Sequence, residues 1–375
     1  MKSRFGQSMT LSALTGMTLL GLAHTALADV NIGAVLPLTG TSASIGEDQR
    51  RGIELAVENI NAHGGVDGQP LHVIVEDSAG SPVTGLNAVR KLTQVNHVPL
   101  VVGSFSSSVT IPVGQYLVKN HLLHINISGT STDVRKIGAT SWSVIGLDSL
   151  SARFSAEDVH QLGYNKVAFI APDGAYGQGM AEQFTKAFEK AGGKVVAKVL
   201  YTSGQPSYRR ELEQISRAHP QAYVYTSYGQ DAIVLNREAW ELGLNKTPWY
   251  GMYLTMAIDG SPAQYTNGQM GMEVAGIDQK AAGSNGENYA TLYQNKFHEK
   301  PRSVYGSYAW DSVMLAAAAI NKAHSAEPAA MITAMKAVAP GFTGITGKLD
   351  LDADNQRQSQ PYLKVKASNG APVPR

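Results

Sequence analysis

The chain has 375 residues, of which 43% are hydrophobic and 16% charged, enough apolar material for two globular domains and too much for a disordered chain. Its formal net charge is +1 and it shows no basic stripe. Nucleic-acid binding is therefore not expected, because nucleic-acid-binding proteins concentrate positive charge on one face. The absence of cysteine excludes disulfides, thiol catalysis and cysteine-ligated zinc together.

The first 28 residues have the pattern of a secretory signal peptide. Lys2 and Arg4 precede an uncharged stretch at 9–23, and the Ala-Leu-Ala sequence at 26–28 is typical of a signal-peptidase site. The mature chain is therefore expected to begin at Asp29. A membrane anchor is the alternative, but the apolar stretch is shorter than the ~20 residues that span a bilayer.

Strand and helix patterns alternate after the signal. The predicted elements of this first unit are strand 30–36, helix 46–62, strand 71–75, helix 83–95, strand 98–102, helix 110–119 and strand 122–125. Repeated β-α-β units predict a parallel sheet that is covered by helices on both faces.

The same alternation then restarts. The predicted elements of the second unit are strand 166–171, helix 177–191, strand 194–200, helix 207–218, strand 222–226, helix 231–242 and strand 249–253. Two such α/β units predict two lobes, with a crossing at 141–150 and a glycine-rich return crossing at 268–276. Helices at 286–298, 307–324 and 329–338 follow, then a segment at 344–351 and a polar tail.

Signatures of cofactors, metals and catalysis fail on their spacing. The glycines of 174–179 do not fit a dinucleotide loop, and Leu349 stands where a phosphate loop needs Ser or Thr. The acidic segment 350–354 lacks the turn glycine and the distal glutamate of a calcium loop. The ten histidines form no zinc motif, and no serine lies in a nucleophile elbow. The sequence thus predicts no cofactor, no metal and no enzymatic activity.

Two hydroxyl-rich segments follow predicted strands of the first unit, at 103–108 and 126–132. In a doubly wound sheet, ligands bind outside the carboxyl ends of the strands. Hydroxyls and backbone N–H groups at the start of a helix can hold a carboxylate without a cation. We therefore expect Ser107 and Thr130 to bind a carboxylate; helix capping is the alternative role of both residues.

Tyrosines follow the matching strands of the second unit. They are Tyr176, Tyr228 and Tyr253. A cleft between the lobes would bind a carboxylate on one wall and cover an apolar or aromatic body with the other. Packing at a lobe interface is the alternative role of these tyrosines.

Several short motifs occur in a fixed order along the chain. They are GAVLPLTG at 33–40, Gly46, Arg51-Gly52, NINAHGGVDG at 59–68, Gly103 with its serines, Ser128-Gly-Thr130 and Tyr176-Gly-Gln-Gly179. Together they make the mature chain resemble the periplasmic leucine/isoleucine/valine-binding protein family. Members of that family are the substrate-binding subunits of ABC importers and have the type I periplasmic-binding fold.

The resemblance implies an α/β fold of two doubly wound parallel-sheet lobes joined by a multi-strand hinge. The N-terminal lobe would comprise 29–148 and 275–345, and the C-terminal lobe 149–274 and 346–375. It also implies a periplasmic monomer that closes around a small carboxylate ligand and passes it to an ABC permease in the inner membrane.

For the site, the resemblance implies that Ser107, Thr130 and the backbone of Ser128 hold the ligand carboxylate. Tyr176 and Tyr228 would contact the ligand from the other lobe.

Two positions depart from the amino-acid-binding pattern of the family. The acid that pairs with the ligand ammonium is expected after residue 251, where the chain has Met252 and Tyr253, and Ile45 replaces an aromatic residue. An unpaired buried ammonium costs several kcal/mol. Ligands without an α-amine therefore remain candidates. The candidate acids for pairing with an ammonium from another direction are Asp173, Asp231 and Asp278.

These observations favour an importer subunit for an aliphatic or branched-chain amino acid over one for an aromatic or other organic acid. A ligand-sensing subunit of a membrane signalling receptor, with the same fold and pocket, is the alternative. A secreted hydrolase that uses an exposed serine is disfavoured, because no nucleophile elbow surrounds such a serine.

Overall fold

The computed structural model describes residue 1 and residues 29–278, 283–301 and 303–375, so the predicted signal peptide lies outside the described residues. The strands are β1 (Val30–Leu36), β2 (Leu71–Asp77), β3 (Leu100–Gly103), β4 (Leu123–Asn126), β5 (Ser141–Ser143), β6 (Lys166–Pro172), β7 (Lys194–Tyr201), β8 (Ala222–Tyr225), β9 (Trp249–Met252), β10 (Met270–Val274), β11 (Thr343–Gly344), β12 (Gly347–Lys348), β13 (Tyr362–Ser368) and β14 (Ala371–Pro374).

Helices connect most of these strands. They are α1 (Ala43–Ala62), α2 (Pro82–Gln94), α3 (Ser107–Lys119), α4 (Asp148–Gln161), α5 (Ala175–Lys190), α6 (Arg209–Ser216), α7 (Gly229–Glu241), α8 (Leu254–Ile258), α9 (Ala263–Thr266), α10 (Ser284–Phe297), α11 (Tyr305–Ala323) and α12 (Pro328–Val338). No helix in the described ranges has the length and apolarity needed to cross a membrane.

The first lobe is built on a parallel sheet with the strand order β2-β1-β3-β4-β5. Its inner strands read as continuous apolar runs because helices cover both faces. Val35 and Val101 pack with α2 and α3, whereas Ala34 and Val102 belong to the core that includes α1 and α11. Helices α1 and α11 also pack against each other.

The second lobe is built on a sheet with the order β14-β13-β10-β9-β8-β6-β7. Strands β6 to β10 are parallel, and β13 and β14 are antiparallel. Phe169 packs with α5 on one face, and Ile170 packs with α6 and α7 on the other. The α/β fold of two doubly wound lobes is therefore confirmed.

The prediction of a glycine-rich return crossing at 268–276 is wrong. Its centre is β10, which pairs in parallel with β9. Gly271 allows this pairing to be close, because a Cβ there would lie 2.3 Å from the carbonyl oxygen of Gly251. Glycine is common in loops, but inside a strand it often marks such a close approach of two backbones.

The C-terminal segment is not an irregular polar tail, because β13 and β14 complete the second sheet. In β13, Val365 and Ala367 are buried while Lys366 between them is exposed, the alternation of a half-covered strand. Pro372 and Pro374 lie on β14 at the edge of the sheet. An edge strand tolerates proline because part of its backbone has no ladder partner.

Candidate functional site

A pocket lies between the lobes, enclosed mainly by segments that follow strand ends. The lining residues are Phe105, Ser106, Ser107, Ser128, Thr130, Tyr176, Tyr228, Tyr253, Met256 and Tyr305. The structure thus brings together all six residues that the sequence proposed for the ligand site.

Ser107 stands at the start of α3, and its hydroxyl links two segments of the first wall. Its Oγ accepts the backbone N–H groups of Thr130 and Ser131, each at 3.1 Å. The N-cap of α3 is Ser106, whose side chain makes no capping hydrogen bond. Because the Ser107 oxygen already accepts, its proton is left to donate into the pocket.

Ser128 is oriented in the same way by a buried glutamine. Gln49 donates through Nε2 to Ser128 Oγ at 2.6 Å, so the Ser128 proton is also left to donate. The backbone N–H of Ser128 is engaged by Asn126 Oδ1 at 3.3 Å. The side chain of Ser128 is therefore the better donor toward the pocket, in contrast to the backbone role that the family resemblance implied.

Thr130 has its backbone groups engaged on both sides. Its N–H donates to Ser107, and its carbonyl oxygen accepts the N–H of Asp148 at 2.6 Å. The hydroxyl is the group that remains for the pocket. The N-terminus of α3 adds partial positive charge to this wall, so the first wall as a whole favours an anion.

The tyrosines form the opposite wall. Tyr176 shares a hydrogen bond of 2.8 Å with the hydroxyl of Thr226, and its ring centroid lies 6.4 Å from that of Tyr228 and 6.3 Å from that of Tyr253. Burial raises the pKa of Tyr228 to about 12 and raises the pKa of Tyr176 and Tyr253 as well. All three hydroxyls are therefore neutral at physiological pH.

Tyr253 has an unusual backbone. It follows β9 as the N-cap of α8 with φ of 54°, in the left-handed region, where a non-glycine residue is strained by ~1–3 kcal/mol. Its side chain is 1% exposed, and its hydroxyl has no hydrogen-bond partner. Tyr253 thus combines a strained backbone with an unpaired hydroxyl, at the position where the family pattern has an acid.

Sequence reasoning missed the apolar part of the lining. Phe105 packs edge-to-face on Tyr228 and on Tyr305, with centroid distances of 5.8 and 5.4 Å. It lies inside a segment that was singled out only for its hydroxyls. Met256 comes from α8 and Tyr305 from the start of α11, where no strand-end pattern points to the pocket.

The three acids considered as substitutes do not line the pocket. Asp173 is exposed and accepts from Gln178 Nε2 at 2.6 Å. Asp231 accepts from the hydroxyl of Tyr208 at 2.6 Å and from a backbone N–H. Asp278 lies beside Gly347, outside the lining. The prediction that one of them replaces the missing acid is therefore not supported.

Contacts across the cleft hold the lobes together. Ser108 Oγ accepts the N–H of Ala175 at 3.2 Å. Gly229, at the start of α7, touches the loop before α1 so closely that a Cβ would lie 2.0 Å from the carbonyl oxygen of Thr41. The structure is that of a closed cleft.

Comparisons with known proteins agree with this architecture. A family model described as periplasmic binding protein matches residues 29–371. Leu/Ile/Val-binding protein homolog 3 of Brucella melitensis is 30% identical over 262 residues, which cover 68% of this chain and 71% of the relative.

Two solved structures share the fold. The branched-chain amino acid transporter substrate-binding protein LivJ of Streptococcus pneumoniae, in complex with isoleucine, has a TM-score of 0.81 at 22% identity and covers 92% of this chain and 98% of its own. The ABC transporter solute-binding protein of R. palustris, in complex with benzoate, has a TM-score of 0.81 at 18% identity and covers 92% and 95%. As the motifs predicted, the chain belongs to the periplasmic binding protein family, among the relatives of the Leu/Ile/Val-binding proteins.

Proposed function

We propose that this protein is the periplasmic substrate-binding subunit of an ABC importer and that it closes around a small carboxylate-bearing ligand. The observation that carries the proposal is the orientation of the first wall. Ser107 and Ser128 both accept N–H groups of the protein, which leaves two hydroxyl protons for an anion in the pocket. In this role the protein binds and releases its ligand as a monomer, without chemistry, and passes it to a permease.

The carboxylate would lie between Ser107, Ser128 and Thr130. Hydrogen bonds from neutral hydroxyls to a charged acceptor are stronger than neutral pairs. The N-terminus of α3 adds a favourable dipole. No cation is needed to hold the anion, in keeping with the neutral lining of the pocket.

The body of the ligand would lie against Phe105, Tyr228, Met256 and Tyr305, which offer aromatic rings and a thioether. We favour an aliphatic or branched-chain amino acid over an aromatic or other organic acid. The names of the curated relatives support this preference. Because a structural relative was solved in complex with benzoate, the binding experiment below also includes an aromatic acid.

Closure would follow from contact with both walls. A ligand that binds the two walls at once has a higher affinity for the closed state and shifts the population toward it. The hydrogen bond from Ala175 to Ser108 forms only when the lobes meet, so it adds to the same shift.

The ligand class can be tested by calorimetric titration of the mature protein with leucine, isoleucine, valine and benzoate. We expect at least one branched-chain amino acid to bind and to raise the melting temperature, since a ligand at a hundredfold excess over Kd stabilises by ~2.7 kcal/mol. Binding of benzoate alone would reassign the ligand class. Absence of binding by every carboxylate would refute the proposal, and deletion of the gene should abolish uptake of the ligand that binds.

Thr130→Ala tests the anion site directly. Loss of a hydrogen bond to a charged group should weaken every carboxylate ligand by ~10- to 100-fold. Thr130→Ser, which keeps the hydroxyl, should bind nearly as tightly as the wild type. Equal affinities of the alanine variant and the wild type would show that the carboxylate lies elsewhere.

A further inference from the structure

Asp148 is a buried carboxyl beside the pocket that lacks a partner. It is the first residue of α4 and is fully buried. Among the carboxyl groups that the structure describes, it alone is buried with both oxygens outside any hydrogen bond. Buried polar groups are almost always satisfied in native proteins. An unsatisfied carboxyl next to a ligand pocket therefore points to a group that is supplied from outside the chain.

The backbone fixes this carboxyl next to the anion site. The N–H of Asp148 donates to the carbonyl oxygen of Thr130 at 2.6 Å. Its Oδ2 lies 3.8 Å from the position that a Cβ on Gly179 would take, in the first turns of α5. The Thr130 hydroxyl is close enough to lower the pKa of Asp148 but lacks the geometry of a hydrogen bond.

Four tyrosines lie near enough to Asp148 for its charge to affect their pKa. Burial raises the pKa of Tyr176 on α5, and the negative charge of Asp148 is the next cause. Burial also raises the pKa of Tyr305 on α11, where Asp148 contributes less than Glu273 does. The charge of Asp148 adds to the raised pKa of Tyr253 before α8 and of Tyr362 on β13. Three of these tyrosines, Tyr176, Tyr253 and Tyr305, line the pocket, and so does Thr130, to which the backbone of Asp148 is bonded. Asp148 therefore lies next to the lining.

The charge state of Asp148 depends on what occupies the site. Burial raises its pKa to about 8, and no cation in the described ranges of the chain acts on it. It is therefore mostly protonated at neutral pH, and ionisation requires a positive group nearby. Two other buried acids in this region are already satisfied, Asp231 by Tyr208 and Glu273 by the N–H of Thr255 at 2.9 Å.

We propose that Asp148 binds the amino group of the ligand and thereby makes the site selective for α-amino acids over the same acids without the amine. The inference rests on the proposed function. A carboxylate held at Thr130 places the α-ammonium of the ligand near Asp148. The partner of the ammonium would then lie at the start of α4 and not at the position of Tyr253. On binding, the Asp148 O–H bond breaks, its proton goes to solvent, and the carboxylate pairs with the ammonium.

The test compares matched ligand pairs by calorimetry. The pairs are leucine with 4-methylpentanoate and phenylalanine with 3-phenylpropanoate, which differ only in the amino group. For the pair that binds, Asp148→Asn should weaken the amino acid by about 30-fold or more, because it removes one partner of a buried ion pair. The affinity for the acid without the amine should stay unchanged.

Asp133→Asn is the matched control, since Asp133 is an exposed acid in the segment between β4 and β5. This variant should leave the affinity for both members of a pair unchanged. Equal weakening of both members by Asp148→Asn would overturn the inference and assign Asp148 a structural role. The inference also fails if the wild type binds the acid without the amine as tightly as the amino acid.

A measurement on the wild type covers the case in which the variant does not fold. Titration at pH 7 in buffers of different ionisation enthalpy should show that the amino acid releases close to one proton on binding. The acid without the amine should release none. Binding of the amino acid without proton release would refute the role of Asp148 but not the proposed function, whereas failure of all carboxylates to bind would refute both.

Discussion

Tyr253 carries a strained backbone, complete burial and an unpaired hydroxyl at one position. Such combinations persist in native proteins mainly at functional sites, where the surrounding structure enforces them. Ser151 lies near the hydroxyl without hydrogen-bonding geometry. At the scale of single residues, the pocket therefore keeps polar groups that the protein itself does not satisfy.

Tyr253→Phe should separate binding from stability. Removing a buried hydroxyl that has no partner should leave the free energy of unfolding unchanged or raise it by ~1 kcal/mol. Ligand affinity should fall if the hydroxyl forms a hydrogen bond with the ligand. Chemical denaturation and calorimetric titration measure the two quantities. Tyr176→Phe is the control, because it breaks the bond to Thr226 and should destabilise by ~1 kcal/mol. A clear loss of stability in Tyr253→Phe would contradict the assignment.

Helix α7 shows how one element couples the two lobes. It begins at Gly229, with φ of 58°, and ends before Gly243, with φ of 71°. Gly229 abuts Thr41 of the other lobe, whereas nothing lies within 4 Å of a Cβ at Gly243. Both glycines have a left-handed backbone conformation, but only Gly229 contacts the other lobe in the closed state.

Gly229→Ala should therefore oppose closure. A Cβ at this position would lie 2.0 Å from the Thr41 carbonyl oxygen in the closed state, a clash that opening of the lobes relieves. We expect weaker ligand binding and a larger radius of gyration by small-angle X-ray scattering in saturating ligand. Gly243→Ala carries the same left-handed strain, of ~1–2 kcal/mol, without the clash. If both variants bind equally well, α7 does not limit closure.

Sequence patterns predicted the strands, the helices and the polar residues of the pocket, but not its apolar residues. Alternating strands and helices predicted both lobes, and strand ends predicted Ser107 and Tyr176, because position after a strand is a local property. Met256 and Tyr305 come from helices that only tertiary packing brings to the cleft. The unpaired state of Asp148 was equally hidden, because a missing partner is a fact of three-dimensional surroundings.

At the scale of the whole molecule, His124 links strands of the first sheet and makes its stability depend on pH. Its Nε2 donates to the carbonyl oxygen of Gly103 on β3, and its Nδ1 accepts from Ser141 on β5, both at 2.8 Å. Burial lowers the pKa of His124 from 6.5 to about 4. The folded state therefore requires the neutral ring.

Acid should destabilise the protein through this histidine. Between pH 6.5 and 4 the unfolded chain binds the proton and the folded chain does not, so stability falls as pH falls through that range, by ~3 kcal/mol. Asp148 and Asp311, whose pKa values burial raises to about 8 and 6, contribute the opposite trend. Melting temperatures of the wild type and of His124→Gln from pH 7 to 4 isolate the contribution of His124. Parallel curves for the two proteins would refute it.

The path of the chain through the two lobes has a consequence for biosynthesis. The first lobe needs α11 to cover α1, and the second needs β13 to cover the open edge of β10. Both elements leave the ribosome late, so neither lobe can finish folding while most of the chain is being made. Until β13 emerges, β10 has an unpaired edge that can template aggregation. Both sheets of the molecule thus stay incomplete until translation is nearly finished, so each lobe finishes folding only after most of the chain has been made.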